Sequence, residues 1–206
     1  MATTNTKSSI PAARKLTVTA IMTAIAVVLQ YIEFSLPIIP SFIKLDFSDL
    51  PELLTAFSLG PWYGVLVAFL KNLIHLPFGS SAGVGELSNF ILAAFFVIPA
   101  GLIYQKNKNK KGALIGSLVG ALVMALVSFP SNLWFVYPAY VKVYGMPMEA
   151  IIGMYSAILP SVTTLPKALL VFNVPFTLVK GLIDVLFTFL IYKRISPLIK
   201  GTAKNA

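Results

Sequence analysis

Cysteine is absent from this chain and acid is scarce: 206 residues carry seven Asp and Glu against sixteen Lys and Arg, with a single histidine. The missing cysteine excludes a disulfide framework, a thiolate nucleophile and any Cys-ligated zinc or iron-sulfur site. Charged residues make up only 11% of the chain, where a soluble domain carries about a quarter. Soluble enzymes and nucleic-acid binders are therefore excluded. No Gly-Lys dipeptide occurs, so there is no phosphate-binding P-loop and no ATPase built on one. A serine nucleophile elbow, a His-Glu-x-x-His zinc motif and a clustered carboxylate pair are missing too. We expect no catalytic residue, no metal and no cofactor. No repeat of fixed period supports an inverted-repeat transporter.

What the chain has in abundance is apolar residues, 57% of the total, with a mean hydropathy of +0.85. The long apolar runs cover 16–34, 50–78, 87–104, 113–136 and 168–192. Eleven of the sixteen basic residues form three clusters free of acid: Lys7, Arg14 and Lys15; Lys106, Lys108, Lys110 and Lys111; Lys193, Arg194, Lys200 and Lys204. The positive-inside bias places all three on the cytoplasmic face. Five crossings would leave the middle cluster outside, so one more reversal is needed. Gly60-Pro61 supplies it, because proline disrupts a continuous helix and glycine permits a turn.

The expected fold is all-α, an integral membrane bundle of six transmembrane helices with both termini cytoplasmic. The segments fall at about 13–34, 49–59, 61–77, 85–105, 111–138 and 167–193, within a single membrane domain spanning 13–198. Residues 1–12 and 199–206 read as cytoplasmic tails, the first disordered, and the first helix reads as uncleaved. The second segment would rise only about 16 Å against a hydrocarbon core of roughly 30 Å, so it must lean on protein.

Intramembrane polar groups are costly and point to function. By this topology they gather toward the outer side: Glu33, Asp46, Asp49, Lys71, Asn72, His75, Glu86, Asn89 and Asn132. Asn173, Thr177, Lys180 and Asp184 are spaced i, i+4, i+7 and i+11, which puts them on one helical face. Pro175 frees the Val171 carbonyl from its usual partner. Together these describe an outward-opening pocket. Several residues have plainer roles. Lys180 could pair with Asp184 one turn on. Asp49 and Glu52 fit an Asp-x-x-Glu cap with Asp49 at the N-cap. Glu86 suits either a helix start or a ligand contact. His75 reads as a packing or interfacial residue, and Trp134, Phe135, Tyr137 and Tyr140 as an interfacial belt. Ala13, Thr17, Ala20, Thr23 and Ala24 give the first helix a small-residue face, suited to internal packing or to a partner membrane protein.

Five stretches, Leu45-Asp46-Phe47-Ser48-Asp49-Leu50-Pro51, Leu59-Gly60-Pro61, Lys71-Asn72-Leu73-Ile74-His75, Gly85-Glu86-Leu87-Ser88-Asn89-Phe90 and Val174-Pro175-Phe176-Thr177-Leu178-Val179-Lys180-Gly181, occur in an order that resembles the riboflavin-binding S components of the energy-coupling factor (ECF) vitamin transporters. The resemblance runs through most of the chain. It implies a multi-pass protein of the bacterial plasma membrane that captures riboflavin from outside for ATP-driven uptake. A transmembrane coupling subunit and two cytoplasmic ATPase subunits would be its partners, and Ala20 and Ala24 would form the docking surface for the coupling subunit. Riboflavin would be cargo, contacted by Leu45, Asp46, Lys71, Glu86, Asn132, Thr177 and Lys180. Where the family commonly has Asn in the last helix, this chain has Thr177, which keeps a hydroxyl but lacks the amide's paired donor and acceptor. The alternatives are an S component for another vitamin, such as thiamine or biotin, and an integral membrane lipid-modifying enzyme using Glu86, His75 or Asp184.

Overall fold

The computed structural model describes residues 11–79 and 81–200, with side chains through residue 191. Residues 1–10 and 201–206 of the expected tails lie outside the described residues, as do the side chains of Lys7, Lys193, Arg194, Lys200 and Lys204. The described chain is helical, apart from one short ribbon. Its helices are α1 (Ala12–Tyr31), α2 (Asp49–Leu59), α3 (Pro61–His75), α4 (Val84–Lys106), α5 (Lys110–Ser131), α6 (Tyr137–Lys142), α7 (Met148–Ile158), α8 (Leu165–Ala168) and α9 (Val174–Lys200). Strands β1 (Phe34–Ser35) and β2 (Lys44–Leu45) pair antiparallel, Phe34 opposite Leu45. The ribbon and α7 fall where the sequence suggests only connecting loop.

Four stretches are long and apolar enough to cross a membrane: Ala12–Tyr31, Val84–Lys106, Lys110–Lys142 and Leu165–Ile191. They turn large apolar side chains outward, among them Leu16, Leu126, Leu186 and Leu190, as a lipid-facing surface requires. α2 is the opposite case. Its residues from Asp49 through Phe57 are all buried, so eleven residues too few to span are enclosed by neighbouring helices.

Between α2 and α3 the chain reverses on one residue. Gly60 has φ 115° and ψ 161°, a backbone region that is essentially glycine-only, and Pro61 starts α3 with the φ that a first helical turn needs. α4 and α5 come together over Gly116 and Gly120. A Cβ at Gly120 would stand 2.4 Å from the Phe96 carbonyl oxygen and one at Gly116 2.7 Å from that of Ala100. Small residues here let two backbones touch where hydrophobic driving force is weak.

α5 continues into α6, and α8 into α9, through π-helical turns at Asn132–Val136 and Leu169–Asn173. Each turn is followed two residues later by a proline, Pro138 and Pro175. A proline in mid-helix clashes with the carbonyl four residues back and cannot donate to it. The wider i to i+5 turn absorbs that misfit, so Tyr137 N–H reaches the Asn132 carbonyl and Val174 N–H that of Leu169.

The core falls into three clusters. One holds α2, α4, α5 and α9 together around Leu53, Phe96, Val97 and Met124. A second ties α1 to α2 and α3 through Met22, Ala26, Leu54 and Val67. The third seats α7 and α8 against α6 through Ile151, Tyr155, Leu165 and Tyr137.

Candidate binding cavity

Where α1, α3, α4, α5 and α9 end, near the ribbon, they enclose a cavity of about 340 Å³, inside the roughly 300–1,000 Å³ range of small-molecule pockets. Its apolar wall includes Phe42, Leu92, Met124, Val136 and Phe176; its polar groups include Asp46, Glu86, Asn89, Asn132, Thr177 and Lys180. The two π turns aim part of this lining. Because Asn132 and Tyr137 are five residues apart across a π turn, they stack on the same face, and both reach the cavity. On the second turn Asn173 does the same.

The cavity floor is ionic. Lys180 lies in α9, with a side chain only 11% exposed. It does not pair with Asp184, one turn along its own helix. Its ammonium is instead 3.2 Å from Asp46 Oδ2 and 3.0 Å from Asp49 Oδ2. A lysine ammonium has three donors, so two are engaged and the third is left for the cavity that Lys180 lines. Asp184 is fully buried and neither carboxylate oxygen has a hydrogen-bond partner.

Asp49 does not cap α2. It is the first helical residue, after Ser48, and no side chain caps the helix. Its carboxylate is shared, with Oδ1 2.9 Å from Lys71 Nζ and Oδ2 toward Lys180. Glu52, the other half of the expected cap, lies 2.6 Å from Lys71. Asp and Glu reach these positions because a partnered buried charge is far cheaper than a lone one. The same pairing consumes Lys71, which is fully buried and does not line the cavity. Leu45 is also buried outside the lining, in β2.

Glu86 stands in the first turn of α4, opened by Gly83 in the left-handed region. Its Oε1 lies 2.8 Å from His75 Nδ1 and its Oε2 accepts from Ser81 Oγ at 3.1 Å. His75 is thus a member of the site rather than an interfacial residue; its ring centroid also lies 5.0 Å from that of Tyr31. The aromatic group does not act as one belt. Trp134 and Phe135 are 67% and 63% exposed, as an outward belt requires, whereas Tyr137 and Tyr140 are buried in the cavity wall.

At the other side of the cavity, Tyr155 donates to Asn173 Oδ1 at 2.6 Å, Asn173 Nδ2 donates to the Tyr137 hydroxyl at 2.9 Å, and the Tyr137 and Tyr155 hydroxyls touch. Tyr155 belongs to α7, outside the four long apolar stretches. Burial raises its phenol above the usual range, so it keeps its proton and its donor role at any physiological pH. This triangle uses both ends of the Asn173 amide. Gln30, Tyr31, Phe42 and Tyr144 also line the cavity without a signal in the sequence; Phe42 packs edge-on to Tyr137 and Tyr155. Among the described residues no group of His, Asp and Glu could hold a metal ion.

Of the expected contact residues, the fold therefore brings Asp46, Glu86, Asn132, Thr177 and Lys180 to one cavity and leaves Leu45 and Lys71 behind its wall. Ala20 and Ala24 lie elsewhere, exposed on α1 together with Ala13 and Thr17, while Thr23 is turned inward.

The chain is similar to known proteins along most of its length. The family model described as "ECF transporter, substrate-specific component" matches residues 14–192. The riboflavin transporter RibU of Staphylococcus aureus is 30% identical over 91% of this chain and 93% of its own length. The riboflavin transporter FmnP of Bacillus subtilis is 28% identical over 91% of this chain and 94% of its own. RibU of Streptococcus thermophilus is 32% identical over 87% and 81%. A solved structure described as the S component of a bacterial ECF transporter superposes with a TM-score of 0.73 at 29% identity, covering 92% of this chain and 99% of that one.

Proposed function

The chain belongs to the substrate-specific components of ECF transporters, and from that premise we propose that it captures riboflavin in the cavity described above. The family consists of membrane transporter components, not enzymes, so the lipid-modifying alternative falls. Thiamine and biotin lose ground as well, since the relatives that match over most of the chain are named riboflavin transporters.

One observation carries the reading: a cavity with aromatic and aliphatic walls into which a cationic donor, a primary amide and a carboxylate all reach from different helices. Riboflavin has the matching parts, a flat ring, a uracil-like edge and a hydroxylated chain. Lys180 donates its spare N–H to a ring carbonyl, Asn132 matches a donor-acceptor edge and Glu86 accepts from hydroxyls. Thr177 offers its hydroxyl to the same face. Asp46 holds the loop after β2 across the site, and Leu45 and Lys71 support it from behind.

The bundle carries six membrane segments in a domain spanning 13–198, with both termini cytoplasmic. Long apolar helices, the reversal at Gly60 and the basic run Lys106–Lys111 support this topology. The chain works with a coupling subunit and two ATPases, docking through the exposed face at Ala20 and Ala24.

Quenching of flavin fluorescence by the purified chain tests the proposal. Saturable quenching at micromolar protein is expected, with no competition from thiamine or biotin; flavin fluorescence left unchanged would reject it.

A further inference from the structure

Lys71 is fully buried and cannot touch a ligand, yet its ammonium makes three contacts: Ser48 Oγ at 2.5 Å, Asp49 Oδ1 at 2.9 Å and Glu52 Oε1 at 2.6 Å. Ser48 and Asp49 accept hydrogen bonds from it, whereas Glu52 meets it as an ion pair without a hydrogen bond. All three partners lie in the short stretch that begins α2. Two of them lead on to Lys180. Asp49 presents its second oxygen to Lys180 directly. Ser48, while accepting from Lys71, donates its hydroxyl to Asp46 Oδ1 and also donates its backbone N–H to the same oxygen at 2.8 Å. Asp46 then turns its other oxygen to Lys180.

Both protein partners of Lys180 are thus set by Lys71, one through Asp49 and one through Ser48. The third contact, Glu52, leads nowhere near the cavity. A plain ion pair joining α3 to α2 would need only Lys71 and Glu52. The two branches instead converge on Lys180, which lines the cavity with a donor to spare.

We propose that Lys71, Ser48 and Asp49 form a positioning relay that aims the free N–H of Lys180 at the flavin ring. The relay rests on riboflavin being the ligand. It makes Lys71 a positioning residue and separates its two jobs by partner: Glu52 serves the packing of α2 on α3, Ser48 and Asp49 serve the site. Low dielectric around these groups strengthens each link and makes a misplaced ammonium costly.

The test uses the purified full chain with riboflavin, reading both affinity and the visible absorption band of the bound flavin, which a purely packing role would not move. Lys180→Gln should weaken binding at least tenfold or so, the size of one lost charge-assisted hydrogen bond, and shift the band. Ser48→Ala, a change small enough to preserve the fold, should weaken binding about threefold to tenfold and shift the band the same way. Lys71→Met combined with Glu52→Gln, which removes one charge of each sign, should do likewise. In a Lys180→Gln background neither change should cost further affinity, since the links act through that ammonium.

Wild-type affinity and an unmoved band in Ser48→Ala, beside a weakened Lys180→Gln, would overturn the relay and leave riboflavin as the ligand. Additive losses in the Lys180→Gln background would overturn it too. Unchanged binding by Lys180→Gln would remove Lys180 from the site and the relay with it. Failure of the unaltered chain to bind riboflavin would overturn the functional reading itself.

Discussion

Six buried ionic side chains occupy the centre of this molecule, Asp46, Asp49, Glu52, Asp184, Lys71 and Lys180, and their substitutions should not behave alike. Lys71 has three partners around it. Lys71→Ala leaves Glu52 without its cation and Asp49 with Lys180 alone, at a cost of about 3–5 kcal/mol, visible as a large fall in the thermal midpoint in detergent. Asp184 makes no hydrogen bond, so Asp184→Asn should change stability by no more than about 1 kcal/mol in the same measurement. Glu86→Gln keeps an acceptor but loses the charge facing His75; we expect weaker riboflavin binding with the helices intact. The sequence marks these residues as unusual because charge is rare in an apolar chain, and five of the seven expected contacts do meet at one cavity. Their pairing is not legible. Lys180 and Asp184 are one turn apart, but Lys180 pairs with residues 134 and 131 positions away, on segments that only the folded bundle brings near.

Helices are where periodicity reads well and also where it misleads. α2 begins and ends where its apolar run and the Gly60-Pro61 break place it, because steric rules act locally. Counting faces at 3.6 residues per turn succeeds for Asn173, Thr177, Lys180 and Asp184, all buried and all clear of the preceding turn's interior. Reading Trp134 and Tyr137 as parts of one interfacial belt fails, one being outward and one inward, where a π turn inserts an extra residue between faces. Proline two residues beyond each π turn explains the insertion, and it can be tested. Pro138→Ala permits a regular α-helix to re-form, rotating Asn132 relative to Tyr137. Binding should weaken while the thermal midpoint holds or rises, as removal of a helix-breaking residue predicts. Gly60→Ala acts in the other direction. Its φ of 115° and a Gln105 Nε2 only 3.1 Å from the added carbon should cost about 1–3 kcal/mol, read as a lower midpoint in thermal unfolding.

For the whole molecule the polar cavity and the lipid-facing surface divide the labour. α1 shows this division most plainly: Met22, Ala26 and Gln30 pack inward while Ala13, Thr17, Ala20 and Ala24 remain exposed. Ala20→Trp or Ala24→Trp should leave riboflavin quenching unchanged and reduce copurification of the coupling and ATPase subunits. Neither alanine touches the cavity. Composition and the basic clusters make a membrane bundle legible from the outset, whereas α7 and its tie through Tyr155 are not. An eleven-residue helix in a connecting stretch gains its order from Tyr137 and Asn173, contacts invisible to local pattern. The carboxylate of Asp49, gripped from two sides by lysines on separate helices, has a consequence for heredity. A lone codon change at any of the three takes a charged partner from its neighbours in surroundings of low dielectric. Descendants of this chain should therefore lose or exchange the trio together, and catalogues of natural variants should show these positions drifting in concert or not at all.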